Sequence, residues 1–206
     1  MTAIKICGLT RVQDAERALD LGVEALGINL WEGSRRRCDP VVAGRIVEAA
    51  RGRARVVAVT VDASDAQLGR IRGEVGIEWL QFHGDEPPER VRAFLPRAFR
   101  AVRAEGREGL RAATSAPGIE VLVDASVPGQ KGGTGVLADW ALAAQVARAR
   151  PLWLAGGLTP DNVAEAVRAV RPMGVDVAGG VESAPGVKDP ERLAAFVRAV
   201  RASALR

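Results

Sequence analysis

Short apolar runs recur eight times along the chain, and stretches with the spacing of amphipathic helices lie between them. Regular alternation of strand-like and helix-like segments is the sequence form of repeated strand–helix units, which build a parallel sheet. Eight such units suffice to close the sheet into a barrel. The runs are AIKIC (3–7), ALGINL (25–30), RVVAVTV (55–61), IEWLQF (77–82), FRAVRA (99–104), IEVLVD (119–124), PLWLA (151–155) and GVDVA (174–178).

An open, doubly wound sheet is the main alternative to a barrel. In that fold the glycine-rich turn falls mainly after the first strand, whereas here such turns follow many strands. No linker, low-complexity segment or composition shift divides the 206 residues. We therefore predict the α/β class, as one single-domain (βα)8 TIM barrel over residues 1–206.

Two late helices carry sequence signals for their first residues. Thr159 precedes Pro160, and Asp189 precedes Pro190. Proline suits the first helical position and a short polar side chain suits the position before it. The sequence therefore predicts Thr159 and Asp189 as N-caps.

The charge and hydropathy of the chain limit which classes of partner it can have. The formal net charge is +4, and almost all positive charge is arginine spread along helices, a pattern typical of a solvated face. No run approaches the roughly 20 apolar residues of a membrane span. We expect no nucleic-acid partner and no membrane partner, although excess positive charge can steer a small anionic substrate.

Cysteine usage and the start of the chain favour a reducing compartment. Cys7 and Cys38 are the only cysteines, too few for a disulfide framework. The first residues lead straight into TAIKIC without a basic segment and an apolar run. Both observations predict a cytoplasmic protein.

Cys7 ends the first apolar run, and Asp124 ends the sixth. A cysteine is often a small core residue, and an aspartate at a strand end often bonds to its own loop. In a parallel barrel, however, the strand carboxyl ends meet at one rim, where catalytic groups lie. A thiolate base and a carboxylic acid brought together there would form an acid–base pair.

Glycine pairs follow the seventh and eighth runs, at Gly156–Gly157 and Gly179–Gly180. A single pair would indicate only a tight turn. Two pairs on consecutive strand ends favour a phosphate site, because exposed backbone N–H groups there meet no side chain.

Three arginines, residues 35–37, lie in the loop after the second run, and His83 directly follows the fourth run. A charge run usually marks a solvated loop, yet one guanidinium at a barrel rim can hold a planar carboxylate with two hydrogen bonds. His83, the single histidine, is more often structural than catalytic in such a place, so we expect at most an indirect role.

Signals for a metal or a nucleotide cofactor are missing from the sequence. There is no histidine pair, no Cys-x-x-Cys and no acidic cluster with metal-ligand spacing. A Gly-x-Gly-x-x-Gly motif opening a helix near the N-terminus is also missing. We expect chemistry without metal and without cofactor.

Several motifs together resemble one enzyme family, the phosphoribosylanthranilate isomerases of tryptophan biosynthesis. They run in order from residue 4 to about residue 190, and the first and last of them are highly specific. The motifs are KICGLT, GSRRR, LQFHGDE, LVDASVPG with GGTG and DW, AGGLTPDNV and VDVAGGVESAPGVKD.

The resemblance implies an Amadori rearrangement of N-(5-phosphoribosyl)anthranilate to carboxyphenylamino-deoxyribulose phosphate. By the family pattern, Asp124 is the general acid that opens the ribose ring, and Cys7 is the base that takes the proton from C2. Arg36 matches the arginine that holds the anthranilate carboxylate. The glycine pairs match the phosphate site.

Several positions depart from the family pattern. GINL replaces the usual GFxF on strand two and VAVTVD replaces VGVFVN on strand three, so the aromatic wall beside the substrate ring is expected to be thinner. Gly33 replaces a lysine, and Ala178 and Gly179 replace serines, which puts hydroxyl contacts to phosphate in doubt.

Two alternatives remain open on sequence grounds. One is the related isomerase of histidine biosynthesis, or an enzyme serving both pathways, although that chemistry typically uses two aspartates. The other is a barrel that binds phosphosugars without catalysis. The partner is in each case a small phosphorylated molecule, and the chain is expected to be a monomer or a homodimer.

Overall fold

The computed structural model describes residues 1–103, 105–124 and 140–203. The eight predicted runs form strands that pair in chain order, all parallel, and the eighth pairs with the first. This confirms the closed barrel and excludes the open sheet. The strands are β1 (Ala3–Cys7), β2 (Ala25–Asn29), β3 (Arg55–Thr60), β4 (Trp79–Phe82), β5 (Ala98–Arg103), β6 (Val121–Asp124), β7 (Leu152–Ala155) and β8 (Gly174–Val177).

Helices on the outside of the barrel separate successive strands, and a short antiparallel hairpin follows β8. Among the described residues, no helix has both the length and the apolar character needed to cross a membrane. The helices are α1 (Val12–Asp20), α2 (Pro40–Ala50), α3 (Asp65–Gly73), α4 (Pro88–Arg92), α5 (Gly106–Ser115), α6 (Trp140–Ala149), α7 (Val163–Val170) and α8 (Pro190–Ser203), and the hairpin strands are β9 (Glu182–Ala184) and β10 (Val187–Lys188).

Local capping explains where some helices begin. The Asp189 carboxylate accepts hydrogen bonds from the backbone N–H groups of Glu191 and Arg192 at 2.9 and 3.0 Å, which confirms its predicted capping role. The Thr159 prediction is wrong, because α7 begins only after Asn162. Asn162 instead accepts a hydrogen bond from the Thr159 N–H at 2.8 Å, which holds the preceding turn.

Alternate residues of each strand face opposite sides of the barrel wall. On β1, Ile4 and Ile6 pack in the large core between strands and helices. The alternate residues of β1, which are Ala3, Lys5 and Cys7, face the barrel interior. The smaller interior cluster consists of Ala25, Val57, Phe99, Ala101, Leu122, Trp153 and Ala155.

The amino ends of the strands are closed by a group that we call the floor, made of Arg55, Trp79, Phe99, Glu120 and Trp153. The Arg55 guanidinium lies 4.3 Å from the ring centroid of Trp79, 5.2 Å from that of Trp153 and 5.7 Å from that of Phe99. It also forms a 2.8 Å ion pair with Glu120, which accepts a 3.1 Å hydrogen bond from the Trp153 indole. The floor therefore seals one end with partners supplied by the barrel itself.

Candidate active site

The opposite end of the barrel, where the strands end, holds an open cavity of about 730 Å³. We call this end the mouth. Every residue that the sequence singled out for chemistry or binding lines this one cavity. These residues are Cys7, Arg36, His83, Asp124, Gly156, Gly157, Gly179 and Gly180.

Cys7 is the last residue of β1, and its thiol lines the cavity. Burial raises the pKa of the Cys7 thiol above its ordinary value. The positive charges of Lys5 and Lys188 act in the opposite direction, and the carboxylate of Asp176 adds to the effect of burial. Burial thus disfavours the thiolate, and the two lysine cations favour it.

Lys5 and Asp176 form a buried ion pair below the cavity that sequence reasoning missed. Lys5 is wholly buried, and its Nζ lies 2.8 Å from Asp176 Oδ1. The two residues are direct partners in the pairing of β1 with β8, so the closure of the barrel brings them together. The sequence signal was the rarity of lysine, two positions before Cys7 on the same face of the strand.

Asp124 is the last residue of β6, on another part of the same rim. The loop that follows it, 125–139, lies outside the described residues, and so does the GGTG part of the fourth motif. Asp124 is close enough to His83 for its charge to act on the imidazole. The structure therefore brings thiol, imidazole and carboxyl group to one cavity from β1, β4 and β6.

His83 stands just beyond β4, next to Gln81. Burial lowers the pKa of His83, which keeps the ring neutral near pH 7, although Asp124 and Asp176 partly oppose this. The Gln81 amide nitrogen lies 3.1 Å from His83 Nδ1. Gln81 Oε1 is buried without a hydrogen-bond partner among the described residues, so the wall offers an acceptor to a donor group in the cavity.

Arg36 reaches the cavity from the loop after β2, and Glu182 of β9 fixes its orientation. Nε and Nη2 donate to the Glu182 carboxylate, at 2.9 Å to Oε1 and 2.7 Å to Oε2. Within the described part of the chain Nη1 makes no hydrogen bond, so the Nη1–Nη2 edge remains available to a second carboxylate.

Lys188 connects this pair to β1. Its Nζ donates to Glu182 Oε1 at 2.9 Å and to the backbone oxygens of Cys7 at 2.6 Å and Ala178 at 3.2 Å. Burial alone would raise the pKa of Glu182, but hydrogen bonds from Arg36 and Lys188 hold it below its ordinary value. Glu182 and Lys188 both belong to the motif VDVAGGVESAPGVKD, but no role was predicted for either.

The glycine pairs are required by backbone geometry. Gly156 and Gly157 have φ angles of +97° and +63°, a region that other residues rarely adopt. A Cβ on Gly180 would lie 1.9 Å from the backbone oxygen of Leu158, whereas one on Gly179 would meet Arg36 Nη2 only at 3.2 Å. The two turns therefore pack closely, and no side chain in the described ranges covers the backbone of these glycines on the cavity side.

Trp31 adds an aromatic surface that sequence analysis did not consider. The indole is 44% exposed and lines the cavity together with Arg36. It lies against Gly33, where a Cβ would be only 2.4 Å from the ring. Gly33, where the family pattern has lysine, is thus the residue that lets the indole fold back over the loop.

Metal ligands are not grouped in the part of the chain that the structure describes. No set of three or more histidine, cysteine, aspartate or glutamate side chains there is arranged to hold a metal ion.

The closed barrel and the polar cavity at its mouth define a (βα)8-barrel enzyme with its active site at the carboxyl ends of the strands. Within that class, the sequence model of N-(5'-phosphoribosyl)anthranilate (PRA) isomerase matches residues 4–199. The chain belongs to this family, as its motifs predicted, and is an isomerase.

Individual relatives agree with this assignment. The N-(5'-phosphoribosyl)anthranilate isomerase of Myxococcus xanthus is 42% identical over 203 residues, covering 96% of this chain and 95% of that protein. A phosphoribosyl anthranilate isomerase in complex with reduced 1-(o-carboxyphenylamino)-1-deoxyribulose 5-phosphate is 30% identical, with a TM-score of 0.86 and coverage of 98% and 100%. Monomers generated from the dimeric isomerase of Thermotoga maritima are 29% identical, with a TM-score of 0.83 and the same coverage.

Proposed function

We propose that the chain converts N-(5'-phosphoribosyl)anthranilate to 1-(2-carboxyphenylamino)-1-deoxyribulose 5-phosphate in tryptophan biosynthesis. The observation that carries the proposal is the set of groups facing one cavity: a thiol, a carboxyl group, a guanidinium with an open edge and two bare glycine turns. These groups match the acid, base, carboxylate and phosphate contacts that this isomerisation requires. The related complex with a reduced form of the product supports the same substrate class.

The first step is ring opening. The Asp124 carboxylic acid donates its proton to the ribose ring oxygen, and the bond from that oxygen to C1 breaks. The electron pair of the anthranilate nitrogen forms a C=N bond to C1, which leaves a protonated Schiff base and a free hydroxyl on C4. General acid catalysis of this kind contributes roughly 10²–10⁴-fold.

The second step is proton removal from C2. The Cys7 thiolate takes that proton, and the C2 electron pair moves into a C1–C2 double bond while the C=N bond becomes a single bond. The resulting enolamine tautomerises, gaining a proton at C1 and losing the one on the C2 hydroxyl, to give the ketone. The reaction is an isomerisation overall, so atoms and electrons balance without an oxidant or a cofactor.

Arg36 and Trp31 hold the anthranilate part of the substrate. The Nη1–Nη2 edge of Arg36 accepts the carboxylate in a bidentate arrangement, because Glu182 occupies the other edge. Trp31 lines the same cavity as Arg36, and its partly exposed indole is an apolar surface for the benzoate ring. This surface compensates for the phenylalanines that strands β2 and β3 lack.

The phosphate lies at the turns after β7 and β8. Gly156, Gly157, Gly179 and Gly180 provide backbone N–H groups there without a side chain in the way. The serine hydroxyls of the family pattern are missing at Ala178 and Gly179, so the backbone carries most of the phosphate contacts. His83 and Gln81 lie on the opposite wall and act on the reacting groups only indirectly.

The test is turnover by the purified protein with no added metal or nucleotide. We expect consumption of N-(5'-phosphoribosyl)anthranilate, followed by the loss of its fluorescence, and rescue of a tryptophan auxotroph that lacks this step. The histidine-pathway substrate and a histidine auxotroph, assayed alongside, identify a dual enzyme. Tight binding of the reduced product without any turnover would instead indicate a binding protein.

We further propose that the chain acts in the cytoplasm as a monomer or a homodimer. Both cysteines are free thiols, as is usual in a reducing compartment. The dimeric relative from Thermotoga maritima supports the dimer as one of the two states. Sedimentation of the purified protein over a range of concentrations distinguishes them.

A further inference from the structure

Lys5 is a charge buried in the middle of the barrel, and the reaction steps above give it no role. Lysine is almost never fully buried unless it is paired. Here Nζ lies 2.8 Å from Asp176 Oδ1, and the lysine side chain is 0% exposed. Apolar residues of similar volume in place of such a pair are often neutral or stabilising, so stability alone does not explain the pair.

The space around Gly27 shows what the ammonium faces besides Asp176. Gly27 is the direct partner of Cys7 in the pairing of β1 with β2. A Cβ on Gly27 would lie 2.8 Å from Cys7 Sγ and 2.9 Å from Lys5 Nζ. The sulfur and the ammonium thus approach the same point, and the missing side chain of Gly27 is what gives them room.

We propose that Lys5 is a positioning residue for catalysis: held by Asp176 and given space by Gly27, its ammonium lies against the Cys7 sulfur and stabilises the thiolate. This inference rests on the proposed role of Cys7 as the base that accepts the C2 proton. Lys5 itself touches neither substrate nor the reacting carbon. It acts through the sulfur.

The charges around Cys7 agree with this role. Burial opposes the thiolate most strongly, and Lys5 is the largest influence that favours it, ahead of Lys188 from β10. Asp176 on β8 opposes the thiolate less than Lys5 favours it. Arg36 also interacts with the thiol, and His83 and Asp124 face it across the cavity.

Lys5 keeps its charge despite its burial. Burial alone would lower the pKa of Lys5, but Asp176 and then Cys7 raise it above the ordinary value. The ammonium therefore remains protonated when the thiolate forms. The proton that the thiolate takes from C2 stays on the sulfur, and Lys5 neither gives nor accepts a proton.

The first test is the pH dependence of Cys7 alkylation by iodoacetamide in the Lys5→Met variant. This substitution keeps a side chain of similar length and removes its charge. A Cys38→Ser background leaves Cys7 as the single thiol. We expect alkylation at least tenfold slower at each pH below the thiol pKa, and a shift of the acidic limb of kcat to higher pH. Alkylation and a kcat profile unchanged from the parent would overturn the proposal.

Lys5→Met leaves a buried carboxylate without its cation, so a second variant guards against misfolding. Lys5→Met with Asp176→Asn removes both charges. Because Lys5 influences the thiol more than Asp176 does, alkylation is still expected to slow, in the same direction. An unchanged or faster rate in a folded double variant would also overturn the proposal.

A third variant keeps both charges and changes only the space between them. Gly27→Ala inserts a methyl group at the contact point, and we expect kcat to fall at least tenfold. Gly44→Ala is the matched control, because a Cβ there meets no atom within 4 Å. Equal kcat in the two variants would contradict the contact. If the parent enzyme has no turnover, the proposed function fails, while alkylation still tests Lys5.

Discussion

The two ends of the barrel both contain buried charge, but they use it differently. At the floor, the Arg55 guanidinium is enclosed by the rings of Trp79, Phe99 and Trp153 and paired with Glu120. At the mouth, ion pairs such as Arg36 with Glu182 surround a cavity of about 730 Å³. At the floor the protein itself supplies the partners of the charge, whereas charge that borders the cavity leaves hydrogen-bonding groups available to a ligand.

The aromatic residues at the two ends differ in the same way. Trp153 at the floor is 3% exposed, whereas Trp31 at the mouth is 44% exposed. An exposed indole beside an open guanidinium edge carries an apolar surface that substrate binding would cover. Variants at the mouth should therefore lower catalysis, whereas variants at the floor should lower stability and leave catalysis unchanged.

The largest expected effect is at the proposed acid and base. Asp124→Asn and Cys7→Ser should each lower kcat by about 10²–10⁴-fold, because each removes one proton-transfer group. The melting temperature should stay within a few degrees of the parent, since both side chains border the cavity. Steady-state kinetics and thermal melts check this, and near-normal turnover in both variants would refute the assigned roles.

The next effect is at Glu182, which serves both stability and binding. Glu182→Gln should cost about 3 kcal/mol of unfolding free energy, because it leaves the buried Lys188 without its carboxylate. KM should also rise, because Arg36 loses its fixed orientation. Urea unfolding and steady-state kinetics measure the two effects, and a change in only one would separate the two roles.

The stability difference between the parent and Glu182→Gln should depend on pH. The folded-state pKa of Glu182 is lowered, so its contribution is fully present above the ordinary carboxyl pKa of about 4.3. It is lost as pH falls through the still lower folded-state pKa. Unfolding at a series of pH values below 6 should show the difference shrinking toward acid, and a difference that grows there would contradict the sign.

The two glycines after β8, in the proposed phosphate site, should differ from each other. Gly180→Ala places a Cβ 1.9 Å from a backbone oxygen, so the turn must move. We expect KM to rise roughly thirtyfold, which corresponds to about 2 kcal/mol. Gly179→Ala is the control, with its nearest contact at 3.2 Å to a side-chain atom, and should change KM only a few-fold. Inhibition by inorganic phosphate should weaken in parallel with KM.

The smallest of these effects on catalysis is expected at the floor. Arg55→Met removes the cation over the aromatic rings and should lower the unfolding free energy by about 2 kcal/mol, with kcat unchanged. That loss corresponds to a melting temperature about 4–8 °C lower. Arg53→Met, which breaks an exposed pair with Asp20, is the control and should change stability by less than about 1 kcal/mol. A large drop in kcat for Arg55→Met would contradict the claim that the floor serves stability and not catalysis.

The sequence by itself determined the barrel and placed the predicted site residues at one rim. Strand and helix periods are local, and in a parallel barrel every strand end falls on one rim, so Cys7 and Asp124 could be placed together from their positions in the runs. The interpretation of Thr159 shows the limit of local signals. Its type and the following proline suit a cap, but the first residue of α7 is Val163, after Asn162.

Only the tertiary structure decided which charges meet. Lys5 and Asp176 are 171 residues apart, and Arg36 and Glu182 are 146 apart. No local pattern pairs them, because each contact depends on the closure of β8 onto β1 and on the path of the hairpin that follows β8. In the sequence, Gly27 is an ordinary small residue of a strand. Only the register between β1 and β2 brings it against a sulfur and an ammonium group. Local order follows from the spacing of residues along the chain, whereas contacts between distant charges follow from how the sheet closes.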